Sequence, residues 1–66
     1  MQIMVNGQWR TEELGLTVAQ LLGKLSLEPT RCAVELNRKL VPRSRHGQTV
    51  LAEKDQLEIV TLVGGG

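Results

Sequence analysis

Sixty-six residues make one domain, and a chain this short buries only about 60% of the surface its unfolded form exposes, which leaves little room for a deep catalytic cleft. Eight Lys and Arg against seven Asp and Glu give a net charge of +1, too balanced to steer a polyanion. One Trp with no Phe or Tyr denies the chain the repeated stacking platforms of single-strand binders, so nucleic acid is not an expected partner. The single cysteine, Cys32, excludes an internal disulfide and fits a reducing, cytoplasmic compartment. No apolar run approaches the ~20 residues of a membrane-spanning helix. The start, Met1-Gln2-Ile3-Met4, lacks the basic and apolar regions of a signal peptide. A complete, unprocessed chain with no membrane partner is expected.

Gln2 to Asn6 reads as a strand, Asn6-Gly7 as a type I′ turn, and Gln8 to Thr11 as the returning strand; Asn-Gly suits that turn because both central residues need positive φ. Val5 then pairs with Gln8 and Met4 with Trp9. Ile3 and Val5 face one side of the sheet, Met4 and Trp9 the other. Leu16 to Leu25 is the one good helix. Thr17 as N-cap and Gln20 three residues on form a capping box, with Leu16 and Leu21 spaced as a hydrophobic staple. Val18, Leu21, Leu22 and Leu25 make an apolar stripe at helical spacing, and Pro29 stops any continuation. Ala33 to Asn37 and Leu40 to Pro42 read as two more strands around an Asn37-Arg38-Lys39 turn. Arg43 to Gly47 reads as a polar loop or one 3₁₀ turn. Val50 and Leu51 return to the core, and Glu53-Lys54-Asp55 is a charged turn. Leu57 to Val63 is the longest strand signal, almost wholly apolar and therefore central.

The expected class is α+β: a ββαββ mixed sheet with the last strand beside the first, and one main helix packed on one sheet face. The domain is expected to span residues 1–63, followed by a flexible glycine tail, 64–66.

Catalytic constellations are absent from the sequence. Cys32 and His46 are each single, so neither a metal cluster nor a nucleophile set can be assembled. Cys32 reads as a quiet buried or half-buried thiol, and His46, between Arg45 and Gly47, as a solvated loop histidine. What remains is Gly64-Gly65-Gly66, directly after an apolar strand. Glycine has no Cβ and lets the backbone enter narrow spaces. A function that threads a terminal carboxylate into another protein's active site needs that freedom. The carboxylate is ionised at neutral pH and must be activated, for example as a mixed anhydride with AMP, by a partner enzyme. Short glycine tails also arise as frayed termini.

Val34-Glu35-Leu36-Asn37, Leu40-Val41-Pro42-Arg43, Thr49-Val50-Leu51, Asp55-Gln56-Leu57-Glu58-Ile59-Val60 and the final Val63-Gly64-Gly65-Gly66 resemble the thiamine-biosynthesis sulfur carrier family, ThiS. Met1-Gln2-Ile3, Asn6-Gly7 and Thr17-Val18-x-x-Leu21-Leu22 fit as well, so the resemblance covers nearly the whole chain. It implies a ubiquitin-like β-grasp fold. It also implies a protein co-substrate rather than an enzyme, with no bound cofactor. A ubiquitin-activating-type adenylating enzyme (ThiF-type) would use ATP to form an acyl-adenylate on Gly66. Sulfur from a cysteine-desulfurase system would replace AMP to leave a thiocarboxylate, and a thiazole synthase (ThiG-type) would receive the sulfur. Gly65 and Gly66 match the family diglycine; Gly64 adds reach. Arg43 matches a family position and reads as packing near its loop. Relatives often read Gly-Asp before the last strand, whereas this chain has Lys54-Asp55, which leaves that turn open.

With Glu58 exposed on the last strand, Val60 and Leu62 share the uncovered side, while Leu57 and Ile59 face the helix. Met4, Trp9, Val60 and Leu62 are therefore expected to form an apolar partner surface leading to the tail. The alternatives are a sulfur carrier of another pathway (molybdopterin or tRNA thiolation), a protein modifier, or a β-grasp interaction module without covalent chemistry.

Overall fold

The first hairpin of the computed structural model, which describes residues 1–62, is set by Asn6-Gly7. Their φ angles are 51° and 83°, as a type I′ turn requires. They join β1 (Gln2–Val5) to β2 (Gln8–Thr11), with Val5 opposite Gln8 and Met4 opposite Trp9.

The helix α1 (Val18–Lys24) starts at its expected cap. Thr17 Oγ1 accepts from Gln20 N at 3.1 Å, and Thr17 N donates to Gln20 Oε1 at 2.9 Å. The other free first-turn donors are met by a distant loop: Val18 N donates to Thr49 O and Ala19 N to His46 O, each at 3.0 Å. The helix ends earlier than expected, and not because of Pro29. Ser26 takes a left-handed conformation (φ 58°); its N–H donates to Gly23 O and that of Leu27 to Leu22 O, which is a Schellman termination. Leu25 and Leu27 still pack on the core. Pro29 opens a 3₁₀ turn, Pro29–Arg31.

β3 (Cys32–Leu36) and β4 (Lys39–Val41) are joined by Asn37 and Arg38, both at positive φ (51° and 70°). The turn is thus two residues, with Lys39 already in the strand, and β3 starts one residue earlier than expected. A 3₁₀ turn covers Arg43–Arg45. Arg43 itself is exposed, and its carbonyl accepts from His46 N. Lys54, at φ 69°, occupies a conformation that favours glycine. β5 (Gln56–Thr61) follows.

The sheet order is β2-β1-β5-β3-β4, with β5 central, parallel to β1 and antiparallel to β3. This is the expected α+β arrangement. Ile3, Val18, Leu21, Leu22, Val34 and Leu57 are fully buried between α1 and one sheet face. Leu16 and Leu21, the staple pair, lie in the same core.

Two expectations need correction. Val50 does not return to the core: it is 58% exposed, and its backbone bridges to Thr17, while only Leu51 is buried. His46 is not solvated: it is 3% exposed, with Nε2 3.1 Å from Val41 O and Nδ1 without a hydrogen-bond partner. The polar neighbours misled, because the His46 carbonyl is drawn under the helix start to accept from Ala19. Cys32 is half-buried, as expected.

A buried charge also escaped the sequence reading. Glu12, 6% exposed, accepts from Arg10 Nε and Nη2 at 3.0 and 2.9 Å and from Lys24 Nζ at 2.8 Å. The bonds from Lys24 and then Arg10 hold its carboxyl below the usual glutamate range, against the opposing effect of burial. This triad ties β2 to the end of α1.

Candidate docking face and terminal strand

β5 carries the chain from the core toward the glycines, and its alternation divides it cleanly. Leu57 and Ile59 are buried against the helix side, while Gln56, Glu58, Val60 and Leu62 are exposed. Both hairpin turns grip it. Asn6 Oδ1 accepts from Ile59 N at 2.7 Å, and Asn6 Nδ2 donates to Ile59 O at 3.1 Å. From the other flank, Asn37 Oδ1 accepts from Gln56 N at 3.0 Å, and Asn37 N donates to Gln56 O at 2.8 Å. Each asparagine thus continues the ladder with its side chain where the neighbouring strand has turned away. Leu62 N donates to Arg31 O at 2.6 Å. Gly64, Gly65 and Gly66, with Val63, lie outside the described residues.

No helix covers the second sheet face, and the four residues expected to form its apolar surface fall there in two groups. Met4 sits opposite Trp9 on one side and Gln56 on the other. The Lys54 ammonium lies 5.0 Å from the Trp9 ring centroid, within cation–π range. Val60 sits opposite Ala33 instead, with Leu62 beyond it. Val60 is four residue steps from Gln56 along β5, about 13 Å at strand rise. Val60 and Leu62 are each 57% exposed, and Trp9 is 50% exposed.

Between the groups lies a polar row. Glu58 is directly opposite Glu35, and Glu35 is opposite Leu40, which is 66% exposed. Sequence reading had placed Glu58 on this face but not its pairing with Glu35, which depends on the β3–β5 register. A shallow groove of about 430 Å³ runs over β5 between the two turns, lined by Met4, Gly7, Asn37, Arg38, Gln56, Leu57 and Glu58. Among the described residues no three His, Cys, Asp or Glu side chains gather as a metal site, and no helix is long and apolar enough to cross a membrane. What this face presents is exposed apolar side chains around two carboxylates.

The model of the ThiS family matches residues 3–66. The chain is 39% and 42% identical, over all 66 residues, to thiazole synthases of Paramagnetospirillum magneticum and Magnetococcus marinus, and spans 20% of the length of each. It is 32% identical to the sulfur carrier protein ThiS of Escherichia coli, with 100% of both chains covered. Among solved structures, a thiamine biosynthesis protein (ThiS) from Geobacter metallireducens superposes with a TM-score of 0.85 at 30% identity, covering 100% of both chains.

Proposed function

The chain belongs to the ThiS family, and from that premise we propose that it is a sulfur carrier of thiamine biosynthesis whose working group is the carboxylate of Gly66. The observation that carries this reading is the reach of the family match, which runs through residue 66 and takes in all three glycines. An adenylating enzyme of the ThiF type joins the Gly66 carboxylate to AMP from ATP and releases pyrophosphate. Persulfide sulfur from a cysteine-desulfurase system then attacks the acyl carbon and expels AMP, and a thiol reductant cleaves the resulting acyl disulfide to leave a thiocarboxylate, the form that delivers sulfur to a thiazole synthase. The domain contributes no acid, base or nucleophile to these steps. Its part is to dock and to present the terminus, and Gly64 and Gly65 admit the backbone where a Cβ would clash.

A thiazole synthase as partner is supported by the two relatives of that name, in each of which a region similar to this whole chain makes up a fifth of a longer protein. Tethering of that kind holds two modules at high effective concentration. The uncovered sheet face, with Val60 on β5 and Leu62 just past it, is the docking surface in this reading.

The test is the intact mass of the protein after incubation with ATP, the cognate adenylating enzyme, a cysteine-desulfurase system and a thiol reductant. The expected result is a gain equal to sulfur replacing one oxygen, absent when Gly66 is deleted. No mass change, beside a control carrier that is loaded, would sink the proposal.

A further inference from the structure

The polar row on the uncovered face has no explanation in folding. Glu35 and Glu58 are directly opposed across β3 and β5, and both are exposed. Like charges in that relation destabilise a sheet, and neutral residues there would cost the core nothing. Neither carboxylate has a counter-ion: both ion pairs among the described residues belong to Glu12. Arg38 lines the same groove as Glu58 but forms no ion pair with it. Toward β4 and the chain end the neighbours are apolar, with Leu40 opposite Glu35 and Ala33 and Val60 in the next row; on the other side lie Asn37, Arg38 and Gln56.

We propose that the opposed Glu35 and Glu58, bordered by Leu40 and Val60 with Leu62 beyond, receive a cationic group set in an apolar surface of the thiazole synthase that accepts the sulfur. This rests on the carrier reading above and adds the chemistry of the docking contact. One guanidinium or ammonium between two carboxylates relieves in the complex a repulsion present in the free domain. Covering the apolar border excludes water and strengthens the attraction. The whole-molecule charge is +1, so a cationic surface is drawn by this local pair and not by net charge.

The experiment is calorimetric titration of the purified cognate thiazole synthase with the full chain and with the E35Q/E58Q double variant, at several ionic strengths. Wild-type affinity should fall as salt rises. The double variant should bind about tenfold more weakly at low salt, with most of the salt dependence gone. Its melting temperature should equal or exceed that of wild type, so the loss cannot be unfolding. Equal or tighter binding by the variant, or an unchanged salt dependence, overturns the proposal. Sulfur loading of the wild type, read by intact mass, separates the two failures. A chain that loads sulfur but docks regardless of the glutamates keeps the carrier reading and loses this one. A chain that neither loads nor binds loses both.

Discussion

The two faces of the sheet are made by the same five strands and the same alternation, yet they are built to different ends. On the helix side Ile3, Val34, Leu57 and Ile59 meet Val18, Leu21 and Leu22, and nearly every atom is out of water. On the other side Trp9, Leu40, Val60 and Leu62 stay half exposed or more, around an acidic couple that forms no ion pair among the described residues. One face is optimised for folding, and the other tolerates exposed apolar surface and like-charge repulsion that folding alone would not select. Stability and recognition are thus separated across a single layer of backbone, and substitutions on the two faces should behave differently.

The largest effect is expected on the covered face. Leu21→Ala leaves a cavity beneath the sheet and should cost about 2–5 kcal/mol, measured by urea denaturation. A domain of this length has roughly 3–10 kcal/mol in total, so the variant should be close to unfolded at room temperature. A loss below about 1 kcal/mol would mean that the helix is not what closes the core.

Next comes the strand shared by both faces. Asn6→Gly keeps the positive φ of the turn but removes both bonds to Ile59, and should cost about 1–2 kcal/mol. Asn6→Ala adds left-handed strain of about 1–2 kcal/mol. Equal losses for the two variants would show that the side-chain bonds alone matter.

These asparagines show what was legible in the sequence and what was not. Asn6-Gly7 announces a turn because only certain residues accept its φ angles, and the helix start announces itself through Thr17 and Gln20. Local rules of this kind need no tertiary knowledge. The central strand was legible too, from its apolar density. The helix end fell within one residue of the expected Leu25, but its form was hidden because a serine, not a glycine, takes the left-handed position, and Lys54 does the same before β5. His46 and Glu12 were missed because their burial comes from partners far along the chain: Ala19 for one, Lys24 for the other. The candidate site was half legible. Alternation along β5 put Val60 and Leu62 on the open face, but only the register between strands could show that Met4 and Trp9 lie at its other end and that two glutamates stand between.

A smaller effect is expected at Glu12, whose partners Arg10 and Lys24 have side chains 36% and 49% exposed and so are screened by solvent. Its carboxyl is held below the usual range by Lys24 and Arg10. A group whose pKa is lower in the folded state contributes stability above its unfolded value, and that contribution is lost as pH falls through the folded value. Glu12→Gln should therefore melt below wild type at neutral pH. The gap should close as the pH drops below about 4.3, the ordinary glutamate value. Melting curves that stay parallel across that range would remove the triad as a source of acid sensitivity.

The smallest change in stability should be the most informative about function. Leu62→Ser and Trp9→Ser both sit on the open face, and each should alter stability by no more than about 0.5 kcal/mol. Their effects on docking should differ. Leu62 follows Val60, which borders the acidic pair, just past the end of β5. Trp9 pairs with Met4 at the far end and lies under Lys54, whose ammonium already occupies its ring face. Calorimetry with the thiazole synthase should therefore show weakened binding for Leu62→Ser and near wild-type binding for Trp9→Ser. If both lose binding equally, the interface spans the whole face, and the polar row is an inclusion within it. If only Trp9→Ser does, docking belongs to the β1–β2 end, and the chain leaves the interface from a different edge of the sheet.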